Sequence, residues 1–168
     1  MGAEVRDGVF CAPDGVPLTL WWDADAAPGG ALRLVDQTRL PGKYAVIACA
    51  TAEEVADAIR TLQVRGAPAI GVAAAYGLAL GARTAMARPL SAAAALTALA
   101  AAADTLRATR PTAVNLAWAL DRLLSRARSE LQGDEASGML PAALLAEAHA
   151  IATEDAAACR AMGALGAE

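Results

Sequence analysis

Aromatic residues are scarce in this sequence: one phenylalanine, two tyrosines and three tryptophans, 4% of 168 residues, although 57% of the chain is hydrophobic. A β-sandwich draws heavily on aromatic and β-branched side chains, so this balance argues against one. The apolar content is mostly alanine and aliphatics, which have high helix propensity and little side-chain entropy to lose. Packed helices are the expected outcome, and alanine faces let their backbones approach closely.

Lysine is nearly absent. Lys43 stands alone, so almost all positive charge is arginine, the better bidentate partner for phosphate; a skewed genome would produce the same bias. The net charge of −4 argues against sequence-independent nucleic-acid binding, which needs a basic footprint. The cysteines Cys11, Cys49 and Cys159 are odd in number and widely spaced. They form neither a disulfide framework nor a CxxC metal pattern. The start, "MGAEVRDGVFCAPDG", lacks a basic region followed by an apolar one and reads as no signal peptide. The apolar run from Ala67 to Ala82 is about 16 residues, short of the ~20 that span a bilayer. A cytoplasmic, reducing setting with no membrane and no nucleic-acid partner is expected.

The pattern changes near residue 50. Before it, "VPLTLWW", "ALRLVDQ" and "YAVIACA" are short apolar or alternating runs separated by "DADAAPGG" and "LPGK", which read as three strands of an antiparallel meander. Pro41-Gly42 suits the central positions of a type II turn. After it the period is helical. Thr51 and Glu54 make a T-x-x-E capping box, and Val55, Ile59 and Leu62 recur on one face of a helix ending near Gln63. Pro68 suits the first turn of a second helix reaching Thr84. Ser91 caps a third, "TRP" at 109–111 interrupts, and Thr112 opens a fourth. "QGDEASG" reads as a linker to a fifth helix from Pro141 to Met162, with Gly163 and Gly166 as its exit. The fold class is therefore α+β and mostly α: a small antiparallel three-stranded sheet (1–50) followed by an antiparallel helical bundle (51–168).

The stretch "VRGAPAIGVAAAYGLALGART" places Arg65, Gly66 and Ala67 at the mouth of the second helix. A helix N-terminus leaves backbone N–H groups unpaired and carries about half a positive charge, so it attracts anions. Gly66 and Ala67 have no bulk to block a ligand, Gly66 can adopt dihedrals closed to other residues, and Arg65 adds a fork of donors fitted to phosphate oxygens. The competing reading is a surface arginine before a tight turn. "GAPAIG" also mimics half of a nucleotide-binding loop, but Val72 and Ala73 stand where Lys and Ser/Thr belong. Arg110, before Pro111 and Thr112, marks the mouth of the fourth helix, with Asn115 one turn in. Either the two arginine-bearing mouths converge on one anion or the two arginines are separately solvated.

Other candidates carry less. His149 has no second histidine or nearby cysteine for a metal site and reads as a helix-face residue. Cys159 reads as a small packing residue, Gly77 and Gly81 as a close helix contact, and Trp21, Trp22 and Trp118 as core or interface anchors. Glu53 and Glu54 serve a helix N-terminus.

Four segments, "LRLVDQTRLPG", "TAEEVADAIRTLQVRGAPAIGVAAAYG", "RPTAVNLAWALDRL" and "EDAAACRAMGALGA", occur in the order that resembles the N-terminal half of the S-methyl-5-thioribose-1-phosphate isomerase family. That wider family includes ribose-1,5-bisphosphate isomerase and the regulatory subunits of the initiation-factor 2B complex. "RGAPAIG" with "RPTAVNL" is closer to the thioribose enzymes than to those relatives. The resemblance spans roughly 16–168. It implies substrate contacts at Arg65, Gly66, Ala67 and Arg110, and isomerisation of 5-methylthioribose 1-phosphate to 5-methylthioribulose 1-phosphate in methionine salvage. It also implies no metal or organic cofactor, and a homodimer for the full-length enzyme. The family's Rossmann-like C-terminal domain, with its catalytic cysteine and aspartate, would lie beyond Glu168, so Cys159 does not take that role. A non-catalytic regulatory or interaction module is the alternative.

Overall fold

The computed structural model describes residues 4–6, 8–26, 28–132 and 138–167. The helices and the meander stand as the sequence predicts. β3 (Leu20–Asp23), β4 (Ala31–Val35) and β5 (Val46–Cys49) form an antiparallel sheet in chain order. Its register sets Leu20 opposite Leu34, and Leu32 opposite both Trp22 and Cys49. Alternation along β4 buries Leu32 and Leu34, while Arg33 between them points the other way and pairs with Asp23 at 2.6 Å. A hairpin of β1 (Glu4–Arg6) and β2 (Val9–Cys11) precedes the meander and has no counterpart in the sequence reading. Its Phe10 stacks on Trp21, ring centroids 4.6 Å apart.

Two details of the first fifty residues differ from expectation. Gly42 does not take the positive φ of a type II turn; the chain there contains a cis Leu40–Pro41 bond and closes through the Lys43 N–H on the Arg39 carbonyl. The loop winds around buried Asp36, whose carboxylate accepts from the Thr38 N–H and hydroxyl and pairs with Arg39. Those bonds, Thr38's first, hold the Asp36 carboxyl below its ordinary range.

α1 (Ala52–Arg60) starts at the Thr51–Glu54 capping box, with both reciprocal bonds present. It stops earlier than the apolar spacing suggests. Val55 and Ile59 are fully buried, but Leu62 sits at φ +63 and is exposed, because the chain has already turned to set the Gln63 carbonyl against the Gln37 N–H. α2 (Ala67–Ala85) follows and is buried along nearly its whole length, the pattern of a helix enclosed on every side. α3 (Ala92–Arg107) is capped by Ser91. α4 (Val114–Glu130) has Ala113 as its N-cap, one residue after Thr112. α5 (Leu140–Gly166) runs straight through Gly163. Glycine in a helix costs only about 1 kcal/mol relative to alanine, and nothing packs near Gly163 to stop the helix. The predicted linker lies largely outside the described residues.

α2 is the hub, packed on α1, α3, α4, α5 and β4. Small residues make this possible. A Cβ on Gly77 would sit 3.0 Å from Val55 and 3.1 Å from Leu106, and one on Gly81 3.2 Å from Ala102. From the end of α2, Arg83 donates to the carbonyls of Gly29, Gly30 and Ala50 at 2.6–2.7 Å, tying the sheet's loops to the bundle. No helix among the described residues is long and apolar enough to cross a membrane.

Candidate functional site

The first turn of α2 is held open by its own backbone. Gly66 is the N-cap at φ +96, ψ +129, and supplies no side chain to cap the N–H groups that follow; Pro68 occupies the first turn. α4 likewise starts at Ala113 without a side-chain cap. These two uncapped ends meet. Gly71 of α2 lies so close to α4 that an added Cβ would stand 2.8 Å from the Asn115 carbonyl oxygen. A cleft of about 440 Å³ opens there, lined among others by Pro68, Gly71, Val114, Asn115, Trp118 and Asp155.

Arg65, Gly66, Ala67 and Arg110 are not among the residues that line this cleft. Arg65, Gly66 and Ala67 are exposed immediately before it on the α2 side. Arg65 spends one guanidinium N–H on the Gln37 carbonyl at 3.1 Å, which steers the side chain along the loop after β4 and leaves its other donors. Arg110 is half-buried before α4, its carbonyl accepting from the Ala113 N–H at 3.0 Å. No hydrogen bond or ion pair engages its guanidinium among the described residues. What the fold shows is that the first turns of α2 and α4 approach at Gly71 and Asn115.

One expectation about the lesser residues changes. Cys159 is exposed on the outer part of α5 and packs into no core. Trp118 is half exposed, with Arg122 over its ring at 5.5 Å. Arg122 is clamped by Glu147 and Glu154 at 2.5–2.8 Å, which raises its pKa further, Glu154's hydrogen bond first, and fixes α5 against α4.

His149 belongs to a cluster that sequence spacing did not reveal. Its Nδ1 lies 2.8 Å from the Tyr76 hydroxyl. Trp22 stacks on Tyr76 with centroids 5.6 Å apart, and His149 stands edge-on to both rings. Burial pushes the histidine pKa down and the tyrosine pKa up. The hydroxyl and Nδ1 share one hydrogen bond, whose direction follows the histidine tautomer. The signal was present only as one tyrosine in an alanine-rich helix and one histidine far along the chain. Among the described residues no group of acidic, histidine or cysteine side chains could hold a metal ion.

The chain matches the initiation factor 2 subunit family over residues 63–168. It is 48% identical over 146 residues to the methylthioribose-1-phosphate isomerase of a Roseiflexus species, covering 86% of this chain and 39% of that protein. It is 49% identical over 149 residues to the protein of that name from Chloroflexus aurantiacus, covering 89% of this chain and 40% of that one. Among solved structures it resembles 5-methylthioribose 1-phosphate isomerase from Pyrococcus horikoshii, with TM-score 0.72 and 35% identity over 83% of this chain and 36% of that one. It also resembles a structure described as translation initiation factor eIF-2B, subunit delta, from A. fulgidus, with TM-score 0.68 and 42% identity over 82% and 37%. The chain spans about 40% of the length of the curated relatives it matches.

Proposed function

Because the chain belongs to the initiation factor 2 subunit family, we propose that it is the phosphate-holding part of a sugar-phosphate isomerase that converts 5-methylthioribose 1-phosphate to 5-methylthioribulose 1-phosphate. The observation that carries this reading is the meeting of the α2 and α4 mouths at Gly71 and Asn115, in a chain so similar to proteins of that name. Phosphate on the anomeric oxygen locks the sugar ring, so the ester must be held while the ring opens and hydrogen moves from C2 to C1. Arg65, Gly66 and Ala67 hold it from the α2 side, by guanidinium and backbone N–H donors, and Arg110 from the α4 side. Their contribution is orientation. The general acid and base that the hydrogen transfer requires are assigned to the relatives' C-terminal portion, outside the matched span.

Arg65→Ala should weaken binding of 5-methylthioribose 1-phosphate by about 1.5–3 kcal/mol, the worth of a charge-assisted contact, read by calorimetry. Unchanged affinity would remove Arg65 from the site. The second reading, a regulatory or interaction module, is favoured by the likeness to the A. fulgidus structure. Sugar phosphates that do not bind, together with co-elution with a translation-factor subunit, would replace the first reading by the second.

A further inference from the structure

Asp36 is the one buried carboxylate among the described residues, 3% exposed. Burying a charge is costly unless it is paired and hydrogen-bonded, and here both oxygens are engaged. Oδ1 accepts from the Thr38 N–H at 3.1 Å and from the Thr38 hydroxyl at 2.6 Å, while Oδ2 faces the Arg39 Nε at 3.3 Å. These bonds, Thr38's first and with a smaller contribution from Gln63, hold the carboxyl below its ordinary range, so it is ionised at neutral pH. Local turn chemistry accounts for the bonds themselves. It does not account for what the turn is built against.

On its other side the turn meets the segment that leads into α2. Gln37 donates its N–H to the Gln63 carbonyl at 3.0 Å, and its own carbonyl accepts from the Arg65 guanidinium at 3.1 Å, across 28 positions of sequence. The Gln37 carbonyl and the Thr38 N–H are two ends of one peptide unit, planar and trans. They point in opposite directions, so fixing the N–H on the Asp36 carboxylate fixes where the carbonyl points. A chain of hydrogen bonds therefore runs from a buried anion, through one peptide plane, to the guanidinium of Arg65. Hydrogen bonds linked in this way polarise one another. The remaining guanidinium donors lie outside this chain, and Gly66 follows directly as the N-cap of α2.

We infer that Asp36 is a positioning residue for the phosphate grip: through the 37–38 peptide it holds the Arg65 guanidinium in place before the ester arrives. The inference rests on the reading that Arg65 contacts the phosphate. An arginine held beforehand has less side-chain freedom to lose on binding.

The test is a double-mutant cycle on the chain, with 5-methylthioribose 1-phosphate titrated by calorimetry at a temperature where every variant is folded. Asp36→Ala should weaken binding by about fivefold, the scale of ordering one long side chain. Asp36→Asn keeps an acceptor without the charge and should weaken it less, by about twofold. In an Arg65→Ala background neither should weaken binding further, whereas a purely structural loss would appear in both backgrounds. Nitrogen-15 relaxation of the Arg65 Nε–H reads the same link without ligand. In the wild-type chain that group should be more ordered than in Arg88, which is exposed and has no hydrogen bond or ion pair among the described residues. In Asp36→Ala the two should match. If Asp36→Ala does not fold, Asp36→Asn and the wild-type relaxation decide.

Unchanged affinity in the Asp36 variants, a loss that persists at full size without Arg65, or an Arg65 as mobile as Arg88 in the wild-type chain overturns the inference and leaves the phosphate reading intact. A chain that does not bind the ester, or that binds it equally well as Arg65→Ala, overturns both.

Discussion

Gly71→Ala tests whether the contact between α2 and α4 governs the site. The new methyl would lie 2.8 Å from the Asn115 carbonyl oxygen and 3.1 Å from its carbonyl carbon, both backbone atoms that cannot rotate away. Ordinary contact begins near 3.4 Å, so the first turn of α4 has to retreat by about half an ångström, enough to forfeit dispersion contacts around it. Overpacking of this kind costs about 1–3 kcal/mol, and alanine's better helix propensity returns up to about 1. The net expectation is a loss of about 1–2 kcal/mol, a fall in Tm of roughly 2–8 °C for a chain of this size. Gly163→Ala is the control. It gains the same propensity in a helix, and nothing lies within 4 Å of its added methyl, so it should hold or raise stability.

Urea unfolding followed by circular dichroism separates the two, provided the slope is unchanged and the midpoint alone moves. The same displacement moves Asn115 and the mouth of α4 relative to the mouth of α2. A misplacement of about 1 Å can cost 10²-fold in a positioned reaction, so phosphate-ester affinity should fall by roughly tenfold in Gly71→Ala and not at all in Gly163→Ala. If both variants are equally stable and equally tight, the helices are not in contact where the reasoning requires it.

Gly66→Ala should destabilise the fold by about 1–2 kcal/mol through backbone strain alone, because the residue sits at φ +96 with its nearest neighbour atom 3.9 Å from the added methyl; a thermal melt matching wild type would contradict that conformation. His149 gives a pH signature. Burial lowers its pKa in the folded chain, so folding is fully favoured above the unfolded value of about 6.5 and loses stability as pH falls from there toward the folded value. His149→Phe should flatten that dependence while lowering stability at neutral pH, since the Tyr76 hydroxyl loses its hydrogen-bond partner. Melting temperatures measured across that pH range in both proteins check it, and parallel curves would refute it.

What the sequence made legible was local. The Thr51–Glu54 box is a reciprocal pair of bonds and the Ser91 cap a single one from the Ala94 N–H, each between residues three apart, and both are present. Gly66 before Ala-Pro signalled a special backbone, and its φ is +96. The errors arise where a distant partner, or its lack, overrides a local rule. Leu62 has the spacing of a buried residue but follows the end of α1, where Gln63 turns to pair with Gln37. Gly163 reads as a stop, yet the solvent around it imposes none, and the helix continues. Cys159 reads as packing because alanines surround it in sequence, yet the fold leaves it exposed. The Tyr76–His149 pair joins residues 73 positions apart, a separation at which no spacing rule operates.

The location of the proposed phosphate grip follows from the burial of α2 itself. Residues from Ile70 to Leu80 are buried without interruption, and the sides of the helix are spent on five neighbouring elements. On a helix so enclosed the start is the open part, with 65–68 exposed. The alanines and glycines that enclose it have a second effect, because only small residues let α4 approach near enough for Asn115 to stand beside Gly71. The bias toward alanine and the proposed grip are then linked: the packing that brings the first turns of α2 and α4 together depends on small residues, and both of those turns lack a side-chain cap.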